Sequence, residues 1–145
     1  MSDRPDAPIE LPDQAVYNAF ISDVELRTIA LESCRAEFVR DAFAEGGGTI
    51  AVRVDTTFEP ATDEELVALV RVQTRAKSSE THRMCTKVDC VYRLVYWSAV
   101  PATPEILCVF AKNVEMNVWP YARELTHSLT GKMPGPTLTL PLHKS

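Results

Sequence analysis

Residues 117–131, NVWPYARELTHSLTG, combine a helical pattern of apolar side chains with a proline inside that pattern. A proline in a helix interior costs about 3 kcal/mol, because it lacks the backbone N–H and clashes with the preceding turn. We therefore predict a kink near residues 116–120, or a restart with Asn117 as N-cap, that aims Trp119 and Tyr121 at a neighbouring surface. The apolar stripe predicted to be buried consists of Val114, Val118, Ala122, Leu125 and Leu129.

Both ends of this helix are indicated by the sequence. Thr103 is a suitable N-cap and Pro104 a suitable first residue, since a proline loses no hydrogen bond there. Gly131 is a natural stop. The last residues, MPGPTLTLPLHKS, contain three prolines, so residues 132–145 are predicted to form a non-helical, Pro-rich tail.

Upstream of the helix the apolar period is two. Residues 50–58, 66–74 and 84–98 alternate apolar and polar side chains between short turns, which predicts an antiparallel meander with one solvated face. Residues 21–34 alternate as well, with a change of phase that indicates a bulge. We interpret residues 35–48, which end in three glycines, as a mobile crossover loop.

The N-terminal part completes the predicted organisation. Residues 1–12 hold three prolines and three acidic residues, which predicts a disordered lead-in. A short helix is predicted from Asp13 as N-cap, because Val16, Tyr17 and Phe20 have helical spacing. The predicted fold class is α+β: a four-stranded antiparallel sheet followed by one long kinked C-terminal helix, in a domain over residues 13–131.

Composition and charge limit the partners of the chain. Hydrophobic residues make up 46% of the 145 positions, enough for the packed core of one domain. The formal net charge is −5 and no cluster of Lys and Arg opposes it, so neither nucleic acid nor anionic membrane is an expected partner. The N-terminus does not resemble a signal sequence, and the longest uncharged run, residues 94–103, is too short to cross a bilayer. A cytoplasmic location is expected.

Catalytic and metal-binding chemistry finds little support in the sequence. Cys85 and Cys90 lie five residues apart on a predicted strand, so we expect them on opposite faces, where one metal ion could not bind both. The three histidines have no spacing that pairs one of them with a cysteine as its general base. We expect no enzyme activity, no metal and no cofactor, and keep a thiol- or metal-dependent enzyme as a rival hypothesis.

Aromatic residues concentrate in the last predicted strand and the last helix. Burial in the core is the usual explanation, and an exposed aromatic surface that holds another chain is the alternative. These residues are Tyr92, Tyr96, Trp97, Trp119 and Tyr121.

A family resemblance arises from the quoted helix and the tail. Trp119-Pro120-Tyr121-Ala122-Arg123-Glu124, followed by an apolar helix and Gly131, resembles the aromatic-Pro-Tyr-Ala-Arg-Glu segment of the protein-export chaperone SecB. Pro136-Thr137-Leu138-Thr139-Leu140 resembles the Pro-x-Leu-x-Leu segment that follows the helix in that family. The stretch LTGKMPGPTLTL is similar in particular to the SecB-like chaperones associated with toxin–antitoxin systems. The resemblance covers residues 113–142.

This resemblance implies a chaperone that works as an assembly. The expected assembly is a dimer of dimers, and the expected activity is that of an ATP-independent holdase for non-native polypeptides, in protein export or in protection of an antitoxin. SecA and an antitoxin are the implied partners. SecB has a second C-terminal helix beside its client groove and a tail that docks on SecA. The residues after Gly131 lack the pattern of that helix, so we expect a client groove that is built differently.

Two sets of site residues follow from these considerations. We predict client contacts at Phe38, Phe43 and Trp97, beside the crossover loop, where the missing helix would leave surface exposed. The six motif residues from Trp119 to Glu124 are predicted to lie in an oligomer interface. The alternative function is a dedicated interaction module on the same fold, which binds one specific folded partner.

Overall fold

The computed structural model describes residues 11–59, 62 and 64–142. The predicted lead-in at residues 1–10 and most of the turn after Glu59 therefore lie outside the described residues. The elements follow the predicted order of a short helix, four strands and a long helix. They are α1 (Gln14–Asp23), β1 (Glu25–Phe38), a 3₁₀ turn (Arg40–Ala42), β2 (Gly48–Glu59), β3 (Glu65–Ser78), β4 (Met84–Trp97) and α2 (Pro104–Gly131).

The four strands form one antiparallel sheet in the order β1-β4-β3-β2. Strands β2, β3 and β4 are the predicted meander, while β1 crosses to the far side and pairs with β4. Register shifts between Leu26 and Thr28 and between Leu31 and Ser33 confirm that β1 is bulged. The α+β fold class is confirmed.

The predicted crossover loop over residues 35–48 is too long. Strand β1 continues to Phe38, because Ala36 and Phe38 keep the alternation and pair with Val88 and Thr86 of β4. The glycines have a conformational role: Gly47 has a φ of +82°, which favours glycine, and a Cβ on Gly48 would collide with the carbonyl of Lys77. They set the geometry of the entry into β2.

Both helices begin at the predicted caps. The Asp13 carboxylate accepts a hydrogen bond from the Ala15 amide, and the Thr103 hydroxyl accepts one from the Ile106 amide. Helix α1 continues to Asp23, so the first residues of the segment predicted as a strand are helical. No helix among the residues described is long and apolar enough to cross a membrane.

Helix α2 runs without interruption from Pro104 to Gly131, with Pro120 inside it. The predicted restart with Asn117 as N-cap is therefore wrong, and the kink stays a prediction. Strong helical flanks and a packed face on the sheet outweigh the local cost of one proline, whose missing N–H leaves a single carbonyl to be satisfied otherwise. That carbonyl belongs to Met116, an exposed residue.

The buried stripe of α2 departs from the predicted one at its C-terminal end. Its buried residues are spaced four apart along the whole helix, so the stripe includes Thr126 and Thr130. Leu125 and Leu129 lie beside the stripe and are half-buried. The prediction chose the two leucines because they are apolar, and so placed the C-terminal end of the buried stripe one residue too early. The fully stepped stripe is Ile106, Phe110, Val114, Val118, Ala122, Thr126 and Thr130.

Helix α2 covers one face of the sheet, and the other face is polar. The covered face carries the apolar rows of β3 and β4, with Ala68, Val70 and Leu94 fully buried. On the polar face Arg75 makes a two-bond ion pair with Asp89, at 2.6 and 3.2 Å. The predicted combination of one packed and one solvated face explains how a single helix suffices for the core.

Replacing Pro120 with alanine is expected to raise the free energy of unfolding by about 1–3 kcal/mol, because the helix is continuous and Pro120 is exposed. Urea unfolding followed by circular dichroism measures this. Glu124→Ala, also exposed on α2, is the control and should change stability by less than about 0.5 kcal/mol. A destabilised Pro120→Ala would mean that the fold needs the proline geometry.

Candidate client-binding groove

An apolar groove of about 580 Å³ opens where the crossover loop, the sheet and the C-terminal tail meet. We call it the loop–tail groove. One wall is the loop from Phe43 to Gly48 with the start of β2, and the opposite wall is the tail from Pro134 to Leu138. Its size lies within the range of clefts that bind ligands, about 300–1,000 Å³.

The floor of the groove is a small hydrophobic cluster separate from the main core. Ala76 at the end of β3 and Cys85 at the start of β4 pack with Leu138 of the tail, and all three are buried. Val39 and Phe43 pack against this cluster from the loop side. The floor is therefore apolar and tightly packed, while the groove above it is open to solvent.

Ile50 is the main exposed apolar residue on the rim. It is 45% exposed and lies on the helix-facing side of β2, in the row that continues through Val52 and Val54. Among the described residues β2 pairs with β3 alone, so the other edge of β2 presents main-chain N–H and C=O groups to solvent. An apolar cavity beside a free strand edge suits an extended polypeptide segment.

Of the two predicted phenylalanines, one lines this groove and the other, Phe38, packs against Gly135 of its tail wall. The rings of Phe38 and Phe43 are 5.6 Å apart, and Phe43 lines the groove. Trp97 does not join them, because it lies at the opposite end of β4, where its ring stacks with Arg27 at 5.4 Å. At about 3.4 Å per residue the distance along β4 from Thr86, the partner of Phe38, to Trp97 is about 37 Å. Client contact at these positions stays a prediction.

The six motif residues divide between the interior and the surface. Trp119 and Ala122 are buried within the chain, and the Arg123 side chain bonds to the Leu140 carbonyl. The other three, Pro120, Tyr121 and Glu124, are exposed. Contact of the six motif residues with another subunit stays a prediction.

A second apolar surface lies between β1 and α2. Helix α2 does not cover β1, so Leu31 on the helix-facing side of that strand is exposed, and Tyr121 of the helix is 51% exposed opposite it. The space between them measures about 420 Å³, and we call it the β1–α2 trough. A separate, smaller depression lies nearer α1, beside Leu26 and Met116.

Sequence reasoning missed Ile50, Cys85 and Leu138 as groove residues. The tail offered a signal, because Thr137-Leu138-Thr139-Leu140 alternates with a period of two, as in a segment with one buried face. Leu138 and Leu140 are indeed buried. The strand ends that form the floor had no such signal, since their meeting with the tail depends on the path of the chain after α2.

The described part of the chain contains one close pair of thiols. The Cys34 and Cys90 sulfurs, on paired residues of β1 and β4, are 3.9 Å apart. Burial raises the pKa of Cys90 to about 12, and the Cys34 thiol adds to this shift. A thiol that stays protonated is a poor nucleophile. No cluster of three His, Cys, Asp or Glu that could hold a metal ion occurs among the described residues.

The raised pKa of Cys90 predicts destabilisation in alkali. An unfolded cysteine ionises at about pH 8.5. Below that pH the Cys90 thiol is protonated in both states and does not lower the free energy of unfolding. As the pH rises from about 8.5 to about 12 the free energy of unfolding falls, because the unfolded chain releases the proton more readily than the folded one. Tyr92, whose pKa is also raised by burial, acts in the same direction. The free energy of unfolding should fall by at most about 1.4 kcal/mol per pH unit for each group. Urea unfolding between pH 8 and 11 tests this.

A matched pair of variants tests which thiol causes the fall in the free energy of unfolding with rising pH. Cys90→Ala should show a shallower loss of stability above pH 9, whatever its stability at neutral pH. Cys108→Ala removes an exposed thiol and should leave the slope as it is. Equal slopes in Cys90→Ala and the unchanged chain would contradict the assignment.

The fold closely matches one solved structure. Mycobacterium tuberculosis Rv1957, a SecB-like chaperone solved in complex with a ChAD peptide from the Rv1956 HigA1 antitoxin, aligns over 91% of this chain and 99% of that chain. The TM-score is 0.75 and the sequence identity 19%. The chain has the fold of a SecB-like chaperone. The resemblance inferred from the motif is confirmed at the level of the fold.

The other comparisons add little to this match of the fold. A protein of unknown function from Streptococcus agalactiae aligns over 83% of this chain and 98% of that chain, with 9% identity and a TM-score of 0.46, which is too low to carry an argument. No family model and no curated protein sequence matched the chain. The SecB-like fold was thus recognisable from a short motif and from the structure.

Proposed function

We propose that this protein is an ATP-independent holdase that binds non-native polypeptides in the loop–tail groove. The observation that supports this most is an open apolar groove with a packed floor, next to the free edge of β2. Such a site needs no catalytic group and no nucleotide. It takes apolar side chains into the groove while the main chain of the client lies along the strand edge.

The strength of binding expected from this site suits a holdase. Burial of a large apolar side chain contributes about 1.5–3 kcal/mol, and the cost of ordering a flexible client offsets part of the total. Each groove therefore binds a client weakly and releases it without an energy source. The net charge of −5 keeps a protein with exposed apolar surface soluble.

The test is suppression of aggregation without nucleotide. Reduced, carboxymethylated α-lactalbumin, which stays unfolded, is the binding probe, and a thermally denatured enzyme followed by light scattering is the aggregation probe. We expect stoichiometric suppression that added ATP does not change. A stoichiometric excess that leaves aggregation unaffected would refute the holdase function.

A dedicated partner is the second candidate function, and one observation favours it. The solved complex of Rv1957 contains a peptide from an antitoxin, so a protein of this fold binds a defined polypeptide partner. Affinity purification from the native cells distinguishes the two functions. One stoichiometric partner together with no effect on generic clients would favour the dedicated module. Export through SecA and a cytoplasmic location stay predictions of the family resemblance.

We also propose that a second copy of the chain covers the β1–α2 trough, giving the homo-oligomer that the family resemblance implies. The trough joins exposed apolar residues of a strand and of a helix, and a surface of this kind is typical of subunit contacts. Its residues Leu31 and Tyr121 are on the surface, so changing them spares the core. Multi-angle light scattering should show a dimer or tetramer, and Leu31→Glu with Tyr121→Glu should shift it to the monomer. A monomeric wild-type chain would exclude this assembly.

A further inference from the structure

A row of hydrogen bonds fastens the tail to α2. The tail runs antiparallel to α2: contacts that lie three or four residues further along the helix are made to a tail residue one position earlier in the sequence. Two bonds come from motif side chains, Trp119 Nε1 to the Pro141 carbonyl and Arg123 Nε to the Leu140 carbonyl, both 2.8 Å long. His127 Nδ1 lies 3.2 Å from the Thr139 hydroxyl, and the Leu138 amide donates to the Thr130 hydroxyl at 2.8 Å.

The fastened residues, 138–141, directly follow the tail residues that form one wall of the loop–tail groove, and the two segments share Leu138. Residues 134–138 line the groove, and Leu138 is part of its floor. Leu140, two residues on, belongs to the main core, so the tail joins the two hydrophobic clusters. Gly135 packs so closely on Phe38 that a Cβ there would collide with the Phe38 ring. The tail is thus held from the helix on one side and abuts the loop-side aromatics on the other.

We infer that Arg123 and Trp119 are positioning residues, which hold the tail as a fixed groove wall and thereby set the affinity for clients without contacting them. This inference rests on the proposed function. A wall that is already ordered spares the client the entropy cost of ordering it, which is the advantage of preorganisation. The motif that resembles SecB would then act, through these two side chains, inside one chain.

A substitution at Arg123 can test the positioning role separately from the stability of the fold. Its guanidinium Nε bonds to the tail, whereas the contact of α2 with the sheet is made by the buried residues Val114, Val118 and Ala122. Loss of the Arg123 donor therefore removes a tail contact without removing any of these buried side chains. Trp119 is buried, so its replacement would mix both effects.

The first measurement compares Arg123→Met with Arg123→Lys. Met keeps an apolar stem without a donor, and Lys keeps a cationic donor. We expect Arg123→Met to bind fluorescein-labelled, carboxymethylated α-lactalbumin about five- to tenfold more weakly, with partial rescue in Arg123→Lys and an unchanged helical circular dichroism spectrum. Amide hydrogen exchange at residues 137–140 should be faster in Arg123→Met. Unchanged exchange there would overturn the clamp.

The second measurement replaces the clamp with a covalent link. A Cβ on Gly131 would lie 3.7 Å from the Thr137 hydroxyl oxygen, so side chains at these two positions are neighbours, and a disulfide between Gly131→Cys and Thr137→Cys would link the end of α2 to the tail. The exposed Cys34 and Cys108 are changed to serine to prevent wrong pairing. In the Arg123→Met background, the oxidised link should restore client affinity to within twofold of that of the chain that retains Arg123 and has no link. Reduction with dithiothreitol should abolish this rescue. Persistent weak binding in the oxidised protein would overturn the inference.

Failure of the clamp and failure of the proposed function give different results. An Arg123→Met chain that binds as tightly as wild type, while a groove variant loses binding, refutes the positioning role and leaves the holdase intact. A wild-type chain that does not bind the unfolded probe refutes the holdase, and with it the effect of the clamp on affinity. Hydrogen exchange then still decides whether Arg123 fastens the tail.

Discussion

Replacing Ile50 with glutamate is expected to weaken client binding by about a hundredfold, the largest functional effect that we predict for a single substitution. Ile50 contributes exposed apolar surface at the rim of the loop–tail groove. The change removes an apolar contact worth about 1.5–3 kcal/mol and adds a carboxylate that a bound apolar segment would have to desolvate. A total of about 3 kcal/mol corresponds to a hundredfold in affinity. Fluorescence anisotropy with the unfolded α-lactalbumin probe measures it.

The matched control for Ile50→Glu is Ala51→Glu. The two residues are neighbours on β2 and both are exposed, but Ala51 points to the opposite, polar face of the sheet and pairs with Arg75. The control adds the same charge at almost the same place. It should bind the probe within twofold of wild type. Equal losses in both variants would show that net charge rather than the groove controls binding, and would remove Ile50 from the site.

Replacing Phe110 with alanine is expected to cost about 3–5 kcal/mol of stability, the largest structural effect that we predict. Phe110 is 3% exposed and lies where α1, β4 and α2 meet. Its ring makes edge contacts with Phe20 of α1 at 5.1 Å and with Tyr96 of β4 at 5.0 Å. Removal leaves a cavity and loses both aromatic pairs, and the loss is a large fraction of a typical total stability of about 5–15 kcal/mol. Urea unfolding at pH 7 measures it.

Lys112→Ala is the control for Phe110→Ala. Lys112 lies two residues further along α2 on the exposed side, and its change should shift stability by less than about 0.5 kcal/mol. Phe110→Ala should also detach α1 before the sheet unfolds, since Phe20 is the buried residue of that helix. A loss below about 1 kcal/mol would mean that the three elements do not share one core at this point.

The periodic parts of the fold were predictable because their signal is local. Alternation placed Leu66, Ala68 and Val70 on the covered face of β3, and the structure buries all three. The caps at Asp13 and Thr103 could be predicted for the same reason, since a cap depends on residues within one turn. The bulge in β1 also appeared as a local change of phase.

The errors occurred where a distant partner overrides a local signal. Pro120 stays inside a continuous helix because packing of α2 on the sheet outweighs a cost confined to one turn. Thr126 and Thr130 are buried where leucines were predicted, because the tail and the sheet lie on that side of the helix and the Thr130 hydroxyl bonds the Leu138 amide. Local apolarity cannot report a partner that arrives eight residues later.

The amino-acid sequence by itself determined the fold class, the order of the helices and strands, and the motif that resembles SecB, because each depends on periodicity or on residues that are adjacent in the chain. The tertiary structure alone decided that β1 pairs with β4 and that the tail returns along α2 to close the loop–tail groove. It also divided the motif into tail-holding and exposed residues. These features arise from contacts between segments far apart in sequence, whose pairing is selected by the burial of the whole core rather than by any local pattern.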